Sequence, residues 1–354
     1  MLSVNCVGFI FDNLCLFYSQ IAAYSQPTAC QWACTHHKSG LLKEGLLGAC
    51  KSSHWCSHGA PLGGFASEAR YSSEGYAMGN VVLYVIAVLA WGSTWLAISF
   101  QLGEIPPEIS LVYRYAIAAL LLFIWCLWRG LRLRFAWRQH FIFLLLGLFL
   151  FSLNYIGTYS AQQYISSALN AVTFSTMMWM NVLNSRIFFG TRIEARVFVG
   201  AGLGMLGIVT LFWPEISEIS WSDKTIVGMS LCLFGAALAS LGNMVSQKAQ
   251  KESVPVLQAN AWGMFYGTAI TFVIALFRGH EFSFDTSFSY VSSLVYLAVV
   301  GSIVAFGVYL KLLGRIGAAK AGYAVVMFPV VALALSYWFE DLKISTYLIV
   351  GVVL

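Results

Sequence analysis

The sequence predicts an all-α membrane protein whose ten transmembrane helices form two inverted five-helix repeats. Three observations predict it. Of 354 residues, 59% are apolar and 10% charged, against roughly a quarter charged in a soluble domain; mean hydropathy is +0.75. Apolar runs of membrane-crossing length follow one another from residue 80 onward. The loops between them alternate in charge, and the order of helices and loops repeats once. Such a composition argues against a soluble enzyme, a disordered chain or a nucleic-acid binder. The net charge of +5 sits in short clusters between apolar runs and forms no basic groove.

Residues 1–77 differ from the rest and are treated as an irregular extension. They hold six of the eight cysteines and four of the six histidines, and show no sustained helical or strand period. Leu2–Tyr24 is apolar but is interrupted by Asp12 and Asn13, and it lacks the basic start and small-residue cleavage site of a signal peptide. Three readings are open. Cys30, Cys34, His36, His37, Cys50, His54, Cys56 and His58 could hold zinc, although their spacing matches no standard structural pattern. The segment could be an unstructured tail. Or the natural start is Met78, the favoured reading, because the membrane pattern begins immediately after it.

The helices are expected near 80–100, 109–128, 141–162, 166–189 and 197–213, then near 226–247, 256–277, 289–310, 318–339 and 344–354. At 1.5 Å per residue the first nine cross a hydrocarbon core of about 30 Å. The tenth is too short in this chain and is expected to be incomplete. The first repeat is expected over 78–213 and the second over 214–354.

One set of alternate loops carries twelve basic residues, from Arg129, Arg132, Arg134 and Arg138 to Lys311, Arg315 and Lys320, and two acids. The opposite set carries three basic residues and nine acids. This positive-inside bias puts the start of the first helix and the C-terminus in the cytoplasm. It also supports the helix count, which a mistake in the middle would scramble.

The two halves align at a shift of 149, pairing Pro106 with Pro255 and Arg129-Gly130 with Arg278-Gly279. A shift of 151 pairs Ile165, Ala168 and Gly200 with Ile316, Ala319 and Gly351. Five is odd, so the second copy enters the membrane from the opposite side, an arrangement that puts a substrate path between halves in transporters.

Trp91-Gly92-Ser93, followed by Pro107 and Arg114, resembles the first helix pair of the drug/metabolite transporter superfamily, EamA type. The segment Gly314–Leu354, with Pro329 inside a helix, resembles that family's last helix pair. Met178 stands where the second repeat has Pro329, a departure from the pattern. The resemblance implies ten helices, alternating access and export of a small metabolite from the inner membrane. It leaves open which of amino acids, nucleosides, sugars, amines or drugs is carried.

Arg114 is the only charge predicted well inside a span. It anchors an anionic group, or, more ordinarily, snorkels from the outer end of helix 2 and pairs with Glu104 or Glu108. Asn170, Thr173, Met177, Asn181 and Asn184 fall on one face of helix 4, which therefore meets a wet cavity or another helix. Asn154, Thr158 and Gln162 share a face of helix 3, beside Tyr155 and Tyr159. The candidate substrate set is Trp91, Arg114, Asn154, Tyr155, Asn170, Thr173, Asn181 and Asn243. Gly200, Gly204 and Gly207 read as close-packing positions.

No Asp or Glu falls inside a predicted span, apart from end residues, which favours a facilitator or a coupling that uses no buried acid. No Walker A loop, metal motif or catalytic constellation is evident in the membrane part, so neither cofactor nor enzymatic activity is expected. The expected partners are a small-molecule substrate and the bilayer, with the chain a monomer or homodimer. The rivals are a polytopic sensor or scaffold and, more remotely, an intramembrane enzyme.

Overall fold

The computed structural model describes residues 64–101, 105–165, 167–217 and 223–339, and positions 347, 350 and 351. The zinc-like cysteines and histidines and most of the tenth helix lie outside the described residues. Contacts divide the chain into Met1–Tyr71 and Ser72–Leu354. Among the described residues the first unit holds only the beginning of a helix, and the second holds the membrane-spanning fold.

The described residues form nine longer helical segments, a short helix at Trp213–Ser217 and no strand. The nine are α1 (Gly64–Ser99), α2 (Pro107–Trp128), α3 (Trp137–Ala161), α4 (Ser167–Ser175 continued by Met177–Phe189), α5 (Ala195–Leu211), α6 (Asp223–Lys251), α7 (Val256–Phe277), α8 (Phe288–Ile316) and α9 (Ala318–Ala321 continued by Tyr323–Phe339). Five of them, α2, α3, α6, α7 and α8, are long and apolar enough to cross a membrane. Leu120, Ile124 and Leu127 of α2 are 60%, 53% and 69% exposed, an outward apolar stripe that belongs against hydrocarbon rather than water. The chain is an all-α, multi-pass membrane protein.

Three boundaries differ from the sequence expectation. α1 begins at Gly64, not near 80, because Ala66, Glu68, Ala69 and Arg70 are helix formers that let the turn structure extend ahead of the apolar span. α2 begins at Pro107, which occupies the first turn, where a missing N–H is harmless. Glu108 therefore lies inside the helix and is buried at 3% exposure. As a first-turn residue, Glu108 is one of the end residues that the expectation of no acid inside a span excepted. Helix 4, expected to be continuous, is broken at Thr176.

The two halves share their local construction. α2 and α7 each start after an extended proline, Pro106 (ψ 138°) and Pro255 (ψ 138°). Each ends through a left-handed glycine, Gly130 (φ 61°) and Gly279 (φ 70°), in the conformation glycine adopts without strain. Leu131 N–H donates to the Cys126 carbonyl and His280 N–H to the Ala275 carbonyl, closing the same turn twice. α3 and α8 each contain a π-helical stretch, Phe149–Leu153 and Leu297–Val304. Such stretches carry one extra residue per turn and occur often at functional sites.

Small residues set the crossings. A Cβ on Gly235 of α6 would lie 2.9 Å from the Asn154 carbonyl oxygen of α3. On Gly200 and Gly204 of α5 it would strike Tyr323 and Val326 of α9. On Gly301 of α8 it would lie 2.8 Å from Thr94 of α1. Backbones approach this closely only where side chains are missing.

Candidate functional site

A cavity lies between the two halves. The first half lines it from α1, α2, α3 and α4, and the second from α6, α8 and α9. Its wall extends from Ile98 and Gln162 to Asn243 and Tyr309.

Arg114 projects from α2 into this wall and is only 2% exposed. Its Nε donates to the Ser302 hydroxyl at 2.9 Å and a guanidinium N–H donates to the Tyr159 hydroxyl at 3.4 Å. The guanidinium carbon stands 5.1 Å from the Tyr155 ring centroid and 5.3 Å from that of Tyr115, within cation–π range. Ser302 sits inside the π-helical stretch of α8 and donates its own proton to the Leu297 carbonyl, five residues back, at 3.0 Å. With its proton committed, the hydroxyl presents lone pairs to Arg114. The expected pairing of Arg114 with Glu108 does not form; Glu104 lies outside the described residues. Glu108 is instead paired with Arg278 and lies 3.6 Å from His280, both from the segment just beyond α7.

Trp91 donates its indole N–H to the Gly301 carbonyl at 3.1 Å. Its ring lies within 4.8 to 5.3 Å of those of Phe306, Tyr309 and Phe328. These edge-to-face and tilted contacts gather one aromatic cluster in the wall. At the other end Asn243 donates to Asn181 Oδ1 and to the Tyr309 hydroxyl, each at 3.2 Å. This joins α4, α6 and α8 beneath the cavity.

Five of the eight expected residues line the cavity: Trp91, Arg114, Asn154, Tyr155 and Asn243. Asn170, Thr173 and Asn181 do not. Asn170 donates to the Thr158 carbonyl at 3.2 Å and Thr173 back-bonds to the Leu169 carbonyl at 2.7 Å. Asn184 of the same stripe donates to Ser240 of α6 at 2.9 Å. The polar stripe of helix 4 mostly meets α3 and α6, while Phe174 and Met177 reach the cavity. Ser302, Phe306 and Phe328 were not singled out by sequence reasoning. On a helix that is apolar all round nothing marks which ring turns inward.

Asn154, Gln162 and Asn243 each keep a buried side-chain oxygen with no hydrogen-bond partner among the described residues. Buried acceptors are normally satisfied, and all three residues line the cavity. Among the described residues no group of three or more His, Cys, Asp or Glu could hold a metal ion.

The model of the EamA-like transporter family matches residues 78–213 and again 226–354. The chain is 26% identical over 281 residues to a Bacillus subtilis (strain 168) protein named "Uncharacterized transporter YoaV", covering 78% of this chain and 94% of that one. It is 28% identical to "Uncharacterized inner membrane transporter YedA" of Escherichia coli (strain K12), covering 77% and 85%. It is 22% identical to a "Probable amino-acid metabolite efflux pump" of the same strain, covering 77% and 91%. One solved structure shares the fold with a TM-score of 0.66 at 20% identity, over 77% of this chain and 92% of that one. With both halves matched, the chain belongs to the EamA-like transporter family.

Proposed function

We propose that the protein is a secondary transporter of the inner membrane that exports a small polar or amphipathic metabolite by alternating access. The carrying observation is the cavity, which draws its wall from both halves and is lined by buried polar side chains such as Arg114, Asn154 and Asn243. The relatives named as transporters support the class. The one named as an amino-acid metabolite efflux pump supports the direction.

In this reading Trp91, Arg114, Asn154, Tyr155 and Asn243 contact the substrate. Asn170 and Thr173 brace the wall from behind. Asn181, Asn243 and Tyr309 form the floor that must part when the cavity opens toward the cytoplasm. Both termini lie in the cytoplasm, and the protein works as a monomer or homodimer in the bilayer, without a cofactor.

The test is efflux from sealed liposomes holding the purified chain and a labelled pool of metabolites, with and without a proton gradient. Selective efflux that Asn154→Leu abolishes, while the variant still inserts and elutes as a single species, supports the proposal. Undiminished efflux by Asn154→Leu removes the site assignment. Absence of efflux for every compound removes the transport reading.

A further inference from the structure

The cavity wall carries one full charge. Among the described residues that line it, Arg114 is the only Lys, Arg, Asp, Glu or His, and its two side-chain hydrogen bonds go to neutral hydroxyls. A buried cation without a counter-charge raises the free energy of the empty site until a ligand supplies one. The buried carboxylate of α2, Glu108, cannot serve. It is taken by Arg278 and His280 at the helix end and is absent from the cavity wall.

The rest of the wall narrows the ligand further. Trp91, Tyr155, Phe306 and Phe328 make it largely aromatic. The unpartnered oxygens of Asn154, Gln162 and Asn243 can accept neutral N–H or O–H groups. An amide oxygen does not cancel a cation, and a bound ammonium would share the low-dielectric space with Arg114.

We propose that the cargo is an organic monoanion, with a carboxylate-like group against Arg114 and an aromatic or apolar body between the rings. This deepens the transport reading and rests on it. It carries a consequence for coupling. A carrier that returns to its starting state brings its arginine back with it, so the net charge moved per cycle is the charge of the cargo. An unaccompanied anion leaves a negative-inside cell downhill. A potential of about 100 mV sustains a gradient of roughly fiftyfold for one charge. Export then needs no proton and no acid in the cavity wall.

The experiment compares three molecules on one ring: indole-3-propionate with one negative charge, tryptophan with none net, and tryptamine with one positive charge. Binding to the purified full chain in detergent is measured by calorimetry. Flux is then followed in proteoliposomes under a potassium-valinomycin potential. Indole-3-propionate is expected to bind at least about tenfold tighter than either of the others. Arg114→Gln should lower its affinity at least about tenfold, and Arg114→Lys by less. An interior-negative potential should accelerate its efflux.

Equal or tighter binding of tryptophan or tryptamine overturns the proposal, as does no binding of indole-3-propionate at millimolar concentration. Efflux indifferent to potential overturns the coupling. If Arg114→Gln does not yield a monodisperse protein, the ranking on the unaltered chain and the response to potential decide. Anion-selective binding with no flux under any potential removes the transport reading and supports the anion site.

Discussion

The crossing of α2 with α8 and the crossing of α7 with α3 are two versions of one joint. In each, a serine inside a π-helical stretch accepts a hydrogen bond from the second helix of the opposite half. Ser302 accepts from Arg114, and Ser152 accepts from Thr271 at 2.8 Å. At a shift of 149 or 150 the partners trade size. Arg114 on α2 corresponds to Gly263 on α7, and Phe151 on α3 corresponds to Gly301 on α8. A Cβ on Gly263 would lie 2.9 Å from the Phe151 ring, and one on Gly301 would lie 3.1 Å from the Arg114 guanidinium. Each joint thus sets a large side chain over a glycine, but on opposite helices. One large side chain is a ring and the other a cation. The frame is duplicated, and the chemistry is placed on one side only.

The sharpest way to break this comparison is Arg114→Leu. If Arg114 carries the substrate's charge, its loss should reduce transport by about a hundredfold, as expected for a buried charge-assisted contact. Stability should hold or rise, because an uncompensated buried charge is removed. A melting temperature in detergent that falls in step with the activity would instead make Arg114 a structural pin.

Gly263→Leu tests the other joint and should do the reverse. Overpacking against Phe151 and Leu146 should cost about 1–3 kcal/mol, visible as a lowered midpoint of thermal unfolding. Anion binding by the protein that stays folded should be unchanged. Weakened binding without destabilisation would show that the two joints are not separable.

Gly130→Ala and Gly279→Ala sharpen the duplicated part. Both glycines are left-handed with open space where a Cβ would go, so each replacement should cost about 1 kcal/mol from backbone strain alone. The two losses in unfolding midpoint should agree. A difference of twofold or more would mean that the caps carry different loads.

Thr271→Val should have the smallest effect, about 1 kcal/mol or less of stability for one neutral hydrogen bond to Ser152, with no change in flux. A transport defect in Thr271→Val would place function in the second joint too.

Span positions were legible because long apolar runs and proline-bounded loops report them directly. α7 falls where the runs put it, at Val256–Phe277. The start of α2 was also readable: Pro107 followed by Glu108 is an N-terminal signature, and reading it would have placed Glu108 inside the helix. The face containing Asn170, Thr173 and Asn181 was legible as a face, but periodicity says which side chains share a side, not what that side meets. Here Asn170 donates to the Thr158 carbonyl of α3, Thr173 bonds back to Leu169 within α4, and Asn181 accepts from Asn243 of α6. The π-helical stretches were not legible at all. Phe149–Leu153 contains no glycine or proline to mark it.

Those stretches have a consequence for alignment and engineering. An inserted residue that widens one turn advances every later side chain by about 100° relative to a regular helix. Asn154, Tyr155, Thr158 and Tyr159 all come after the stretch in α3, and Phe306 and Tyr309 come after the one in α8. Deleting a single residue from either stretch would restore an ordinary helix and rotate that half's polar and aromatic groups away from the cavity. The angular setting of the cavity wall is therefore stored in two local irregularities rather than in the identities of the residues that line it.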